Sequence, residues 1–202
     1  MQKDSQELYT NYQEITQKAA DLQYAAAVLG WDQEVYMPPK GFPYRGRQLA
    51  TLATQAHELM TSENYGALLY ELSGRDNLND VRKNNVRLSL EDYEKNKKLP
   101  PSFIDELTQQ TSRSFNAWIK AREGNNYSIY QPELDKMISL KRKQAELYGY
   151  KVHPYDALLD EYEKDITVAI LDPIFEMAKA QLPSFLKKIS EAQQVDNSFF
   201  IR

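Results

Sequence analysis

Residues 8–30 read LYTNYQEITQKAADLQYAAAVLG, and their apolar side chains recur in alternating steps of four and three. This spacing marks one face of an α-helix, which has 3.6 residues per turn. The stretch therefore predicts a long helix that packs one apolar stripe into a bundle and ends at Gly30. The stripe consists of Leu8, Tyr12, Ile15, Ala19, Leu22, Ala26 and Leu29.

Helical spacing continues along the rest of the chain, after a loop predicted at residues 31–47 from its three prolines and two glycines. Further helices are predicted near residues 49–60, 65–72, 80–97, 103–121 and 132–148. A last helix begins at Thr167 or at Asp172 and runs towards Ala192, with a kink expected at Pro183. We predict an all-α multi-helix bundle with long antiparallel helices, no sheet, and a single domain over residues 1–202.

Composition excludes several classes of function. A net charge of −4 and a pI near 5.4 argue against a phosphate-binding surface, so no nucleic-acid partner is predicted. The sequence has no cysteine, which excludes disulfides and thiolate chemistry. It contains no run of about eighteen apolar residues and no signal-peptide core, so no membrane partner is expected and the predicted location is the cytoplasm.

The sequence offers no catalytic or metal-binding pattern. A zincin helix requires His-Glu-x-x-His, which places two imidazoles on one face, and this pattern does not occur. The two histidines of the chain are His57 and His153; His57 is followed by a glutamate, but Thr61 stands where the second histidine would be. We therefore predict no catalytic residue, no metal ligand and no cofactor bound by this chain. An independent enzyme that uses His57 or His153 is the weakest interpretation.

Two short groups of polar and aromatic residues are candidates for a binding cleft. Trp31 and Asp32 follow the first predicted helix, where Trp31 either anchors the loop in the core, the interpretation that we favour, or forms a cleft wall. His153, Tyr155 and Asp156 surround a proline, where they either cap a helix or face a cleft. These five residues are the predicted substrate-groove candidates.

Three motifs resemble, in order and spacing, the N-terminal part of the Taq-type zinc carboxypeptidases, peptidase family M32. They are Trp31-Asp32-x-x-x-x-Met37-Pro38, the run from Thr111 to Arg122, and Gly149-x-x-x-His153-Pro154-Tyr155-Asp156-Ala157-Leu158-Leu159-Asp160. The resemblance implies a helical, zinc-dependent enzyme with a long substrate groove, often a homodimer, that removes C-terminal amino acids from peptides. The family's zinc motif lies beyond the matched region, so no catalytic residue transfers to this chain.

We therefore expect the N-terminal, non-catalytic segment of an M32-like enzyme, forming part of the groove wall and inactive by itself. Zinc, peptide substrates and the remaining catalytic part belong to the intact enzyme, for which the resemblance also implies a homodimer. The alternative is a stand-alone helical protein-interaction module without enzymatic activity. The sequence Phe199-Phe200-Ile201-Arg202 favours the segment, because such an apolar end is expected to pack against further protein.

Overall fold

The computed structural model describes residues 4–192 and divides the chain into two compact units, Met1–Gly149 and Tyr150–Arg202. Both units are helical, and no strand occurs among residues 4–192. The all-α prediction is confirmed, while the single domain over residues 1–202 stays a prediction. The apolar residues 199–202 lie outside the described residues. None of the helices in the described part of the chain is long and apolar enough to span a membrane.

Eight α-helices occur within residues 4–192, six in the first unit and two in the second. Those of the first unit are α1 (Ser5–Val35), α2 (Phe42–Met60), α3 (Glu63–Ser73), α4 (Asp80–Asn96), α5 (Pro101–Glu123) and α6 (Gln131–Tyr148). The second unit contains α7 (Asp156–Leu159) and α8 (Val168–Glu191). Two 3₁₀ turns, Pro39–Gly41 and Tyr127–Ile129, precede α2 and α6. Helices α3 to α6 agree with their predicted bounds to within a few residues.

The core of the first unit lies between α1, α3 and α4. All seven residues of the predicted α1 stripe are buried or half-buried. The central cluster consists of Leu8, Tyr9, Tyr12, Tyr65, Leu68, Leu69, Leu72, Leu78 and Val86. A second layer forms where α2 packs against α1 and α5, and α5 packs against α6. The first unit therefore has a hydrophobic core made by residues of its own.

The first helix continues past Gly30, where its end was predicted. Beyond it, the backbone N–H groups of Tyr36 and Met37 both donate to the carbonyl oxygen of Asp32, at 3.0 and 2.9 Å. A glycine inside a helix costs only about 1 kcal/mol, so one glycine does not end a long helix. The helix ends before Pro38 instead, because a proline disfavours the helical conformation of the residue that precedes it. The predicted loop is correspondingly shorter than residues 31–47.

The end of α6 agrees with the prediction. Gly149 follows the last helical residue with φ of +80° and ψ of 150°, a backbone conformation that residues with a Cβ rarely adopt. Its N–H donates to the carbonyl oxygen of Ala145 at 2.9 Å. This glycine ends the first unit.

The last helix begins at the earlier of its two predicted positions. Thr167 is extended, with φ of −132° and ψ of 160°, and α8 starts at the next residue. Pro173 therefore lies inside α8 rather than at its start. No residue between 150 and 192 is buried. The second unit thus has no core of its own within the described residues.

Candidate functional site

Trp31 lies on the surface of α1, so the favoured prediction that it anchors a loop in the core is wrong. Its side chain is 57% exposed, and its ring packs edge-on against Tyr36 with 5.3 Å between the ring centroids. The reason is that α1 continues through Gly30. Helical geometry then places Trp31 on a different face from the buried stripe.

Trp31 belongs to a second apolar stripe along the C-terminal half of α1. Tyr24, Val28, Trp31 and Val35 are spaced by four, three and four residues, and each is more than half exposed, from 73% for Tyr24 to 53% for Val35. This spacing aligns the four side chains on one helix face. A contiguous exposed apolar surface of this kind marks a site of contact with another molecule or another part of a chain.

Asp32 joins the end of α1 to the start of α2. Its Oδ2 atom accepts a hydrogen bond from Nη2 of Arg45 at 2.5 Å, and the Arg45 guanidinium also donates to the carbonyl oxygen of Leu29. The Arg45 side chain is 12% exposed. A charged pair held on two sides in this way fixes the angle between the two helices and the position of Trp31. The sequence predicted backbone hydrogen bonds for Asp32 but did not identify Arg45.

His153 organises the turn that precedes α7. Its Nδ1 atom accepts a hydrogen bond from the backbone N–H of Tyr155 at 3.1 Å. Neutral His153 therefore carries its proton on Nε2, which has no hydrogen-bond partner within residues 4–192. The Tyr155 side chain is exposed. This turn therefore exposes one N–H donor and one phenol.

Asp156 is the capping residue that the sequence left as one of two alternatives. Its Oδ2 atom accepts from the backbone N–H of His153 at 3.3 Å, and its Oδ1 atom accepts from the backbone N–H of Val168 at 2.8 Å. Val168 is the first residue of α8, and its Thr167 N-cap makes no side-chain hydrogen bond. Asp156 thus satisfies one of the N–H groups that a helix start leaves free. This contact explains why α8 begins before Pro173.

The five groove candidates form two groups, one in each unit. Trp31 and Asp32 share the last turns of α1, while His153, Tyr155 and Asp156 share one turn of the second unit. Both groups offer aromatic rings and hydrogen-bonding groups but no nucleophile with an adjacent base. Each group can contact another molecule through a ring and a hydrogen-bonding side chain.

Neither histidine lies in a metal-binding group. Nε2 of His57 donates to the carbonyl oxygen of Leu99 at 2.7 Å, which ties α2 to the residue before Pro100. No group of three or more His, Asp or Glu side chains in residues 4–192 is placed to hold a metal ion. The described residues therefore do not fit a zinc centre.

A family model described as carboxypeptidase Taq (M32) metallopeptidase matches residues 11–202, almost the whole chain. The chain belongs to the M32 family. Thermostable carboxypeptidase 1 of Pyrococcus furiosus is 36% identical over 172 residues, which cover 85% of this chain and 34% of that protein. Carboxypeptidase 1 of Bacillus subtilis is 31% identical over 180 residues, which cover 88% of this chain and 36% of that protein.

Solved M32 structures share this arrangement of helices. Metallocarboxypeptidase 1 of Trypanosoma cruzi matches with a TM-score of 0.75 and 28% identity, covering 94% of this chain and 40% of that chain. The Pyrococcus furiosus carboxypeptidase matches with a TM-score of 0.73 and 34% identity, covering 95% of this chain and 38% of that chain. This M32 chain spans about a third of the length of the curated relatives it matches and corresponds to their N-terminal part.

Sequence reasoning missed one polar network of this M32 segment. The side chain of Gln110 is buried in α5; its Nε2 donates to Oε2 of Glu133 on α6 at 2.6 Å, and its Oε1 accepts from Nη2 of Arg113 at 2.9 Å. The signal available was a run of polar residues, 109–114, inside a helix that packs on both sides. Gln110 thereby fixes Arg113 at the surface of the first unit.

Proposed function

We propose that this chain is the N-terminal, non-catalytic segment of a zinc metallocarboxypeptidase that removes C-terminal amino acids from peptides. The observation that carries the proposal is the family match over residues 11–202 by a chain that spans about a third of its relatives. No His-Glu-x-x-His occurs in the sequence, so the zinc would be held by the remaining catalytic part. When bound there, zinc would polarise the peptide carbonyl and activate water.

Within the intact enzyme, we propose that this segment forms part of the wall of the substrate groove. The exposed rings of Trp31 and Tyr155 and the free Nε2–H of His153 support this role, because peptides are bound by aromatic surfaces and by backbone hydrogen bonds. Asp32 and Asp156 would act indirectly, since their carboxylates hold Arg45 and the start of α8. These residues would position the wall without contacting the reacting atoms.

The apolar surfaces of both units support a large partner, the remaining catalytic part of the enzyme. The exposed stripe of α1 carries four large apolar residues. Helix α8 exposes eight more: Ile170, Ile174, Phe175, Met177, Leu182, Phe185, Leu186 and Ile189. Such surfaces are normally covered in a folded protein, and a homodimer would use part of the same area.

The coding DNA after Arg202, together with an activity assay, tests this proposal. A reading frame that continues into His-Glu-x-x-His, and an isolated chain that releases no amino acid from a blocked dipeptide with zinc or cobalt, are the expected results. In the continuous protein, Trp31→Ala should raise KM more than it lowers kcat, since a wall residue contributes binding. Metal-dependent hydrolysis by the isolated chain that His153→Ala abolishes would contradict the proposal.

The stand-alone interaction module is the second candidate, and the self-contained core of the first unit favours it. Light scattering with a hydrophobic dye separates the two. A non-catalytic segment should self-associate or bind the dye through its uncovered apolar stripes. A monomeric chain that binds no dye at high concentration would favour the module.

A further inference from the structure

A cavity lined by apolar and polar residues lies on the first unit between the first turns of α2 and the middle of α5. Its volume is about 450 Å³, within the usual range for sites that bind small molecules. Arg47 and Arg113 line it from the two helices, and the described lining residues include no Asp or Glu. The cavity is thus positively charged in a chain whose net charge is −4.

Arg47 and Arg113 have N–H groups that can bind a ligand, whereas those of the neighbouring Arg45 already bind other residues. The guanidinium of Arg45 donates hydrogen bonds to the side chain of Gln48, the carbonyl oxygen of Leu29 and the carboxylate of Asp32. Arg47, two residues later, makes no ion pair within residues 4–192, and its guanidinium carbon lies 5.2 Å from the centroid of the Tyr44 ring. An arginine stacked on an aromatic ring keeps its N–H groups free to bind an anion.

Arg113 is positioned by a buried group rather than neutralised by an acid. Nε and Nη2 of Arg113 donate to Oε1 of Gln110, at 3.2 and 2.9 Å. The amide of Gln110 is itself anchored on Glu133. The Glu106 carboxylate, in electrostatic range of Arg113, pairs with Lys136 at 2.6 Å. Nη1 of Arg113 is therefore left for a ligand.

The residues that line the cavity include a serine whose hydroxyl has no partner in the described part of the chain. Ser112 is 5% exposed, and its hydroxyl makes no hydrogen bond within residues 4–192. The Ser112 Oγ is not one of the fully buried unpaired atoms of the described residues, so it is reachable from the cavity and can hydrogen-bond to an acceptor atom on a ligand. Gly46 faces this group: a Cβ there would lie 3.7 Å from the Ser112 Oγ and would begin to cover it. The Asn116 side-chain amide at the same cavity is also unpaired within the described residues.

We propose that this cavity binds the carboxylate of a peptide, either its C-terminus or an acidic side chain, at a site separate from the zinc chemistry. Two arginine forks match the two oxygens of a carboxylate, and the Ser112 hydroxyl and Asn116 amide complete its hydrogen bonds. The aromatic wall at Tyr44 and the cavity volume accommodate an organic group that inorganic phosphate lacks. The inference rests on the proposed function only for the choice of a peptide as carrier of the carboxylate.

Nitrogen-15 NMR titration of the 202-residue chain tests the site without any hydrolysis, so it can fail independently of the proposed function. The probes are N-acetylphenylalanine, its C-terminal amide, and inorganic phosphate. The free acid should shift amides in residues 42–47 and 109–116 and bind about tenfold more tightly than the amide, because the charge-assisted bonds are lost with the carboxylate. Equal binding of acid and amide, or tighter binding of phosphate, would overturn the proposal.

Single substitutions test whether the two arginines of the cavity bind the carboxylate. Arg47→Gln and Arg113→Gln should each weaken binding of the free acid by about fivefold or more, since glutamine keeps polarity but loses the charged fork. Arg122→Gln is the matched control: it removes the same charge from α5, where Arg122 lies over the Trp118 ring and outside the cavity. An equal loss of binding in Arg122→Gln would show that the loss depends only on net charge, and would contradict a specific site.

Ser112→Ala separates binding from folding. Because the Ser112 hydroxyl makes no hydrogen bond within residues 4–192, its removal should leave stability nearly unchanged, while weakening binding of the free acid severalfold. Binding that is unchanged in a folded Ser112→Ala variant would remove Ser112 from the site and overturn the proposed set of contacts.

Discussion

The two compact units of this chain contrast in what their side chains bury. In the first unit, Tyr65 and Leu69 of the core cluster are 0% exposed and Phe103 of α5 is 1% exposed. In the second unit no residue between 150 and 192 is buried, although α8 carries eight large apolar side chains. Apolar content therefore does not create a core by itself; it also requires a second surface. The first unit contains its second surface, and we propose that the second unit obtains it from the catalytic part.

Replacing one phenylalanine in each unit gives the largest expected difference in the free energy of unfolding. Phe103→Ala should lower the free energy of unfolding by about 3–5 kcal/mol, because it leaves a cavity in a filled core. Phe185→Ala, where the ring is 59% exposed on α8, should change it by less than about 0.5 kcal/mol. Urea unfolding followed by far-ultraviolet circular dichroism measures both, since both units are helical. Similar losses in the two variants would show that the second unit is packed as tightly as the first.

Two helical glycines test how closely the first unit is filled. A Cβ on Gly66 would lie 2.2 Å from the hydroxyl oxygen of Tyr93, so Gly66→Ala should cost about 1–3 kcal/mol by forcing that ring to move. Nothing lies within 4 Å of a Cβ on Gly30, so Gly30→Ala should stabilise α1 by about 0.5–1 kcal/mol. Thermal unfolding of both variants gives the comparison. Two changes of the same sign would refute the packing at Tyr93 or the open site at Gly30.

Trp31→Ala tests the contrast between the exposed and the buried face of α1. Because Trp31 is 57% exposed, its loss should cost the isolated chain less than about 1 kcal/mol. Tyr12→Ala on the buried stripe, where the side chain is 7% exposed, should cost about 3 kcal/mol or more. Urea midpoints decide the matter, and a loss of several kcal/mol for Trp31→Ala would restore the core-anchor interpretation.

The hydroxyl of Tyr65 is expected to have a small, pH-dependent effect on the free energy of unfolding. Burial raises the pKa of Tyr65 to about 12, although the nearby Ser89 hydroxyl opposes the shift; the Ser89 hydroxyl pairs with Tyr12, and the Tyr65 hydroxyl has no partner of normal hydrogen-bond geometry within residues 4–192. The folded pKa lies above the value of about 10 in an unfolded chain, so this contribution to stability is complete below pH 10 and is lost as the pH rises towards 12. Tyr65→Phe should therefore be neutral or stabilising by up to about 1 kcal/mol at neutral pH.

The alkaline range checks the sign of this effect. The stability advantage of Tyr65→Phe over the parent chain should grow between pH 10 and 12, as measured by urea unfolding at each pH. Tyr24→Phe, at an exposed position of α1, provides the baseline. An advantage that shrinks over this range would show that the hydroxyl of Tyr65 is stabilising in its ionised form.

Much of the fold could be predicted from the sequence because helix faces are a local signal. The stripe from Leu8 to Leu29 and the end of α6 at Gly149 depend only on spacing and on the freedom of glycine. The family resemblance likewise depends on short motifs, and the match over residues 11–202 confirms it.

The positions that prediction missed depend on contacts between distant residues. The start of α8 is set by Asp156, twelve residues before Val168, which no capping pattern near Pro173 shows. The end of α1 is held by Arg45 through Asp32. The surface position of Trp31 follows from that longer helix.

Amide hydrogen exchange of the isolated chain, read by mass spectrometry, tests the contrast between the units most directly. Amides of α3, in the core cluster, should exchange about a thousandfold or more slowly than unstructured peptide, because they open only when the first unit unfolds. Amides of α8 should exchange within about tenfold of unstructured peptide, since a solvent-exposed helix of this length with two internal prolines is marginal alone. Protection of α8 equal to that of α3 would show that the second unit is stabilised within this chain, and would contradict the account.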